Sequence, residues 1–164
     1  MDIIGLESVI YGADDIKEAI KFQQDWGLEL VEKGNSGAKF KLPDNTTIQI
    51  LGSSDSILPP ASVPGSTARE VIWGVQEEDT LKLIGAELSK DREVTVDVEG
   101  GLHSFDDLGY RIGFKITSRE IKPLIFPNCN TVGNGSRINK RADVFFTKKS
   151  NSTAHVSRGL LGSR

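Results

Sequence analysis

The chain of 164 residues has a single cysteine, Cys129, so no disulfide forms within it, and a disulfide-stapled secreted domain is excluded. A reducing, cytoplasmic setting is expected. Histidine is almost as scarce: His103 and His155 lie far apart, in neither an H-x-x-x-H nor an H-x-H arrangement, which argues against a self-contained histidine zinc site. Charge of one sign is also missing. The 20 Lys and Arg face 23 Asp and Glu, for a net charge of −3 with no basic stripe, so a nucleic-acid partner is not expected. Nowhere do 18 apolar residues run together, and the opening MDIIGLESVIYG lacks a positive flank and a long apolar stretch. Neither a membrane span nor a signal peptide is expected. G-x-x-x-x-G-K, G-x-S-x-G and C-x-x-C are absent too, which removes the phosphate-loop, serine-hydrolase and dithiol readings.

What is present is a globular composition. Residues classed as hydrophobic make up 37% and the 17 glycines add about a tenth, the range of a folded domain rather than a disordered one. A chain of this length buries roughly two-thirds of its unfolded surface, enough for a core without staples. Ile3 to Tyr11 reads as a strand stopped at Gly12, and Asp15 with Glu18 three residues later has the form of a capping box. Ile16, Ala19, Ile20, Phe22 and Trp26 then fall at helical spacing up to Gly27, predicting a helix over Ile16 to Trp26. Leu28 to Lys33, Ala38 to Leu42 and Thr46 to Leu51 follow as three strands, with turns at Gly34-Asn35-Ser36-Gly37 and Pro43-Asp44-Asn45. The unit is βαβββ.

That unit recurs. Gly52 to Thr67, with Pro59, Pro60 and Pro64, reads as a linker, after which Ile72-Trp73-Gly74 answers Ile10-Tyr11-Gly12 at a distance of 62 positions. Leu81, Ile84, Gly85 and Leu88 form a helical stripe behind Glu77-Glu78-Asp79, whose carboxylates suit a helix N-terminus. Glu93 to Val98, Leu102 to Phe105 and Tyr110 to Ile116 complete a second set of strands. The expected organisation is a first module over 1–51, a linker over 52–67, a second module over 68–117 and a C-terminal arm and tail over 118–164. In the last part, Ile121 to Pro127 and Asp143 to Phe146 read as edge strands, and the polar end as the start of a truncated second domain. The fold class is α+β, two tandem βαβββ modules forming a curved mixed sheet or half-barrel with helices outside.

This layout resembles the vicinal oxygen chelate superfamily of glyoxalases, bleomycin-resistance proteins and type I extradiol dioxygenases. Phe22-Gln23-Gln24-Asp25-Trp26-Gly27-Leu28 resembles the family's F-Y-x-D-x-L-G-L run, and Leu42-Pro43-Asp44-Asn45 and Asp106-Asp107-Leu108-Gly109 resemble its turns before the fourth and eighth strands. The resemblance implies metal ligands on the first and fourth strands of each module. The matching positions hold Ser8, Gln49, Glu70 and Gly113: a hydroxyl, an amide, one carboxylate and no side chain. Such a set makes a poor divalent site, so no metal or other cofactor is expected on this chain.

The candidate pocket residues are therefore Ser8, Gln49, Glu70, Trp73 and His103. His103 reads either as a general acid or base or as a satisfied structural histidine. Glu70 reads either as a general base raised by burial or as a plain carboxylate beside Arg69. Trp73 and Tyr11 either line a pocket for a flat organic ligand or belong to the core. Cys129 lacks a neighbouring His or Lys to activate it. The triplets at Asn45, Asn134 and Asn151 match the glycosylation pattern without a secretion signal to give it meaning. In the tail, Arg137-Ile138-Asn139-Lys140-Arg141 and then Ala154-His155-Val156 resemble the linker and first iron ligand of a two-domain extradiol dioxygenase, although Ser157-Arg158-Gly159-Leu160 departs from that pattern.

Three functions follow as expectations. The chain is the metal-free N-terminal half of a dioxygenase-like parent whose Fe(II) lies elsewhere, or a non-catalytic binding protein for a small aromatic or other small molecule, or a pure assembly module. A homodimer is expected in each case.

Overall fold

The computed structural model describes residues 2–120. The two edge strands expected after residue 120, Cys129, the triplets at Asn134 and Asn151, the Arg137 to Arg141 stretch and His155 lie outside them. The described residues form ten elements: β1 (Ile3–Ala13), α1 (Ile16–Asp25), β2 (Glu29–Lys33), β3 (Gly37–Lys41), β4 (Thr47–Gly52), β5 (Thr67–Val75), α2 (Glu78–Leu88), β6 (Thr95–Val96), β7 (Leu102–Phe105) and β8 (Arg111–Ile116). The two βαβββ units share one eight-stranded mixed sheet in the order β2-β3-β4-β1-β5-β8-β7-β6. Within each unit the first and last strands run parallel, β1 with β4 and β5 with β8, and the units meet where β1 and β5 pair antiparallel.

Local chemistry explains most boundaries. Asp15 caps α1 by accepting a hydrogen bond from the Glu18 amide at 2.9 Å; no bond returns from the Glu18 side chain, so only half of the expected capping box forms. The helix ends in a Schellman arrangement, with Leu28 N–H on the Gln23 carbonyl, Gly27 N–H on the Gln24 carbonyl, and Gly27 at φ 82°. α2 begins at Glu77 without a side-chain cap; Glu78 and Asp79 lie in its first turn and pair with Lys82. The turn before β4 puts Asn45 at φ 70° while Asp44 Oδ1 accepts from the Thr46 amide and hydroxyl, and before β8 Gly109 takes φ 82° while Asp106 Oδ1 accepts from the Leu108 and Tyr110 amides. The expected strand over Glu93 to Val98 shrinks to Thr95–Val96. The Asp97 carboxylate accepts from the Glu99 and Gly101 amides and so bends the chain immediately after Val96.

Both helices cover the same face. Val9, Phe40, Ile48 and Ile50 pack with Ile20 of α1 into one core, and Val75, Leu102 and Phe114 pack with Leu81 and Ile84 of α2 into a second. Val9 pairs with Val71, which shares its side of β5 with Val75, so the two cores lie side by side under one sheet. Phe40 and Ile50 are essentially inaccessible, and burying each contributes about 1.5–3 kcal/mol.

The junction carries two matched β-bulges. Glu7 is the extra residue where Leu6 pairs with Trp73 and Ser8 with Ile72; Arg69, 62 positions on, is the extra residue where Ile10 pairs with Glu70 and Tyr11 with Ala68. Both are buried. Glu7 accepts from the Thr117 hydroxyl at 2.8 Å and from the amide and hydroxyl of Ser118 at 2.7 and 2.8 Å, holding the segment that leaves β8. Arg69 donates to the Pro59 carbonyl at 2.9 Å and the Ser53 carbonyl at 3.1 Å, holding the segment that leaves β4. Each module thus clasps the exit of the other. Two glycines, also 62 positions apart, leave the room: a Cβ on Gly74 would lie 2.7 Å from Glu7 Oε2, and one on Gly12 would lie 2.8 Å from Arg69 Nε.

Candidate functional site

The sheet face opposite the helices carries the polar residues. Strand register lines up Lys41, Thr47, Ser8, Ile72, Gly113 and His103 in one row across the sheet, and Lys39, Gln49, Ile10, Glu70 and Arg111 in the next. Four of the expected pocket residues, Ser8, Gln49, Glu70 and His103, therefore share this face. Trp73 does not. It packs beside Val75 and Phe114 in the core under α2, on the opposite side of β5 from Glu70 and Ile72.

Register also fixes the equivalences between modules. Ile10 stands opposite Gln49 as Ile72 stands opposite Gly113, so Gln49 and Gly113 correspond, as do Ser8 and Glu70. On the neighbouring strand, Lys39 lies opposite Gln49 just as His103 lies opposite Gly113.

In the second module this constellation is closed upon itself. Glu70, 4% exposed, receives His103 Nδ1 at 2.5 Å on Oε1, with Arg111 Nε at 3.3 Å from the same oxygen. His103 Nε2 lies 3.0 Å from Asp97 Oδ2. Gly113 leaves room beside this pair, since a Cβ there would lie 3.2 Å from Glu70 Oε1. An imidazole with a carboxylate at each nitrogen satisfies both only when both nitrogens donate, that is, as the cation. The hydrogen bond to Glu70, opposed by burial and reinforced by Asp97, accordingly lifts the His103 pKa above the usual imidazole value. Burial works to raise Asp97, and hydrogen bonds from His103, Gly101 and Glu99 outweigh it to hold that carboxyl below the usual range. His103 is thus clamped between two carboxylates that favour its imidazolium form, joining the β6–β7 turn to β5 with both ring nitrogens engaged. Asp97 and Arg111 complete the cluster; the sequence reading missed both.

In the first module the same positions are neutral or cationic. Ser8 Oγ accepts from the Thr47 hydroxyl at 2.9 Å, and Lys39 and Lys41 stand on the open face beside Gln49 and Thr47. Tyr11 faces the other way, lining a cleft of about 680 Å³ with Phe22 and Ser66 on the helix side, and burial pushes its phenol pKa up to about 12.

A divalent ion fits this donor set badly. Of the four positions, Gly113 offers no donor, Ser8 and Gln49 offer neutral oxygens, and the Glu70 carboxylate is already engaged by two cationic side chains that would repel a metal. Among the described residues no three His, Cys, Asp or Glu side chains gather as a metal site. Nor is any described helix long and apolar enough to cross a membrane.

No protein-family model and no curated protein matches the chain in sequence. Solved structures do match its fold. A halotolerant catechol dioxygenase, BphC, superposes with a TM-score of 0.56 at 14% identity over 72% of this chain and 43% of its own. The Mn(II)-bound glyoxalase from Novosphingobium aromaticivorans gives 0.52 at 16% identity over 74% of this chain and 43% of its own. Methylmalonyl-CoA epimerase from Mycobacterium tuberculosis gives 0.50 at 16% identity over 71% of this chain and 89% of its own. The chain thus spans less than half the length of the dioxygenase and the glyoxalase. All three belong to the vicinal oxygen chelate superfamily, and the paired βαβββ modules on one mixed sheet give this chain the fold of that superfamily.

Proposed function

We propose that the two modules form a metal-free unit of a vicinal-oxygen-chelate protein, the N-terminal structural half of a longer parent resembling an Fe(II) extradiol ring-cleaving dioxygenase. The engagement of Glu70 by His103 and Arg111 carries this reading, because it uses up the one carboxylate among the four ligand positions. Coverage of 43% of a dioxygenase agrees with half a parent. In such a parent the iron is held by residues outside the described ones, and these modules serve as scaffold and subunit contact in a cytoplasmic homodimer.

Anaerobic titration of the whole chain with Fe(II), Mn(II) and Zn(II), read as heat and as metal bound per chain, tests the proposal. The expected outcome is that Glu70→Gln leaves metal content unchanged; one tight equivalent that disappears in that variant would overturn it.

A second reading, a non-catalytic binding protein for a small molecule, is favoured by a cleft of about 420 Å³ on the open face of the first module, where polar side chains converge around Thr47. The 89% coverage of the epimerase also suits a protein built from two modules alone.

A further inference from the structure

We infer that the open face of the first module is a binding site for a small organic anion whose carboxylate or phosphate head is held by Lys39 and Lys41. The inference deepens the small-molecule reading and rests on it.

The internal repeat supplies the argument. At equivalent places the second module has a cationic His103 and a buried counter-ion, Glu70, whereas the first module has a cationic Lys39 and, in place of the glutamate, Ser8. The cation is kept and its internal carboxylate is gone. Lys41 adds a second ammonium two residues along the same strand and on the same face. Both lysines are half-buried, and neither closes an ion pair or hydrogen bond with a described residue. Glu29 and Glu32 stand opposite Lys41 and Lys39 across the β2–β3 pair, but both are exposed and neither comes within ion-pair distance.

The surroundings fit an anion rather than a further protein carboxylate. The 420 Å³ cleft is lined by both lysines together with Glu32, Asn45, Thr47 and Ser118, and Lys39 and Glu32 also border a smaller adjoining cleft with Gln49; the exposed Glu32 makes no ion pair with either lysine. The Gln49 amide has no hydrogen-bond partner among the described residues and fills the place that Gly113 leaves empty in the second module. Asn45 is fixed by the αL turn and by its bond to the Ser118 carbonyl at 3.3 Å, which leaves its second amide hydrogen free to donate. Two ammonium groups supply charge and the amides supply direction, the combination that recognises a carboxylate or phosphate oxygen. Val31 provides an apolar wall for the rest of the molecule.

The test titrates the EDTA-treated whole chain with inorganic phosphate and with malonate, at constant ionic strength set with chloride, by calorimetry. The expected result is saturable binding of one equivalent, weakened at least tenfold in Lys39→Gln/Lys41→Gln and unchanged in Lys17→Gln on α1, with circular dichroism confirming that each variant is folded. Tighter binding of phosphate assigns a phosphoryl head; tighter binding of malonate assigns a carboxylate head. No saturable binding of either probe, or binding equal in the double variant and the Lys17 control, overturns the inference. Metal is absent throughout, so a chain that fails the metal test above can still pass or fail this one on its own terms.

Discussion

His103 shows what one residue does when its surroundings fix its protonation state. Its ring lies between Glu70 and Asp97, and its pKa rises because the charged form makes both bonds while the neutral form keeps only one. A group whose pKa is raised by folding stabilises the fold fully below its unfolded value and loses that contribution as pH climbs through the folded value. Asp97 works in the opposite sense, since its lowered pKa makes a contribution that is present above the ordinary carboxyl value and fades as pH falls through the folded one. The cluster is therefore strongest between about pH 4 and pH 6.5. Urea unfolding across pH 4 to 9 should show the wild-type chain losing stability relative to His103→Gln as pH rises above about 6.5; parallel pH profiles for the two proteins would refute the clamped imidazolium. His103 and Glu70 were both legible as candidates in the sequence, but 33 positions separate them, and only the strand register reveals that each is the other's partner. Arg111 and Lys39 gave no sign at all, because alternating polar residues on a strand look the same whether they face solvent or a site.

The elements that sequence located best are those set by local chemistry: α1 between Asp15 and Gly27, and the turns at Asp44-Asn45 and Asp106 to Gly109. What it could not locate is any feature that exists only between strands. Period-two alternation puts Glu7 on the face of Val9, whereas the bulge gives it over to the β8 exit, and a bulge is defined by a partner strand more than sixty residues away. The glycine at 74 reads in sequence only as the counterpart of Gly12, and is in fact the space into which Glu7 fits. Gly74→Ala forces a Cβ against a carboxylate pinned by three hydrogen bonds, and should cost about 1–3 kcal/mol. Glu7→Ala removes those acceptors and leaves the Ser118 amide unsatisfied, at a cost of about 1–3 kcal/mol. The two changes meet at one point, so Gly74→Ala should cost less in the Glu7→Ala background than alone, and a double-mutant cycle by urea unfolding measures the difference. Strict additivity would show that Gly74 matters for a reason other than the clasp.

At the scale of the whole molecule, two cores share one sheet, and each module helps to hold the exit segment of the other. Glu7 of the first module holds Thr117 and Ser118, Arg69 of the second holds Ser53 and Pro59, and β1 and β5 join along nearly their full length. Arg119 adds a further tie, donating to the Leu6 carbonyl and pairing with Asp44 at 3.4 Å, so that the chain leaving the second module is fastened to the first at Leu6, Glu7, Asp44 and Asn45. Losing either module would strip the other of a hydrogen-bonded edge strand at the centre of the sheet and expose the buried charges of its clasp, a penalty far larger than that of opening a peripheral hairpin. The modules should therefore unfold as one cooperative unit, although the repeat in the sequence suggests two. Native-state hydrogen exchange on the whole chain decides the matter. The slowest amides of Val9 and Ile48 in the first core and of Val75 and Phe114 in the second should report the same opening free energy and the same denaturant dependence, with only the β6–β7 end opening at lower cost. Two separate plateaus, one for each core, would mean that the clasps are ornaments on two independent domains, and that an ancestral module still folds alone.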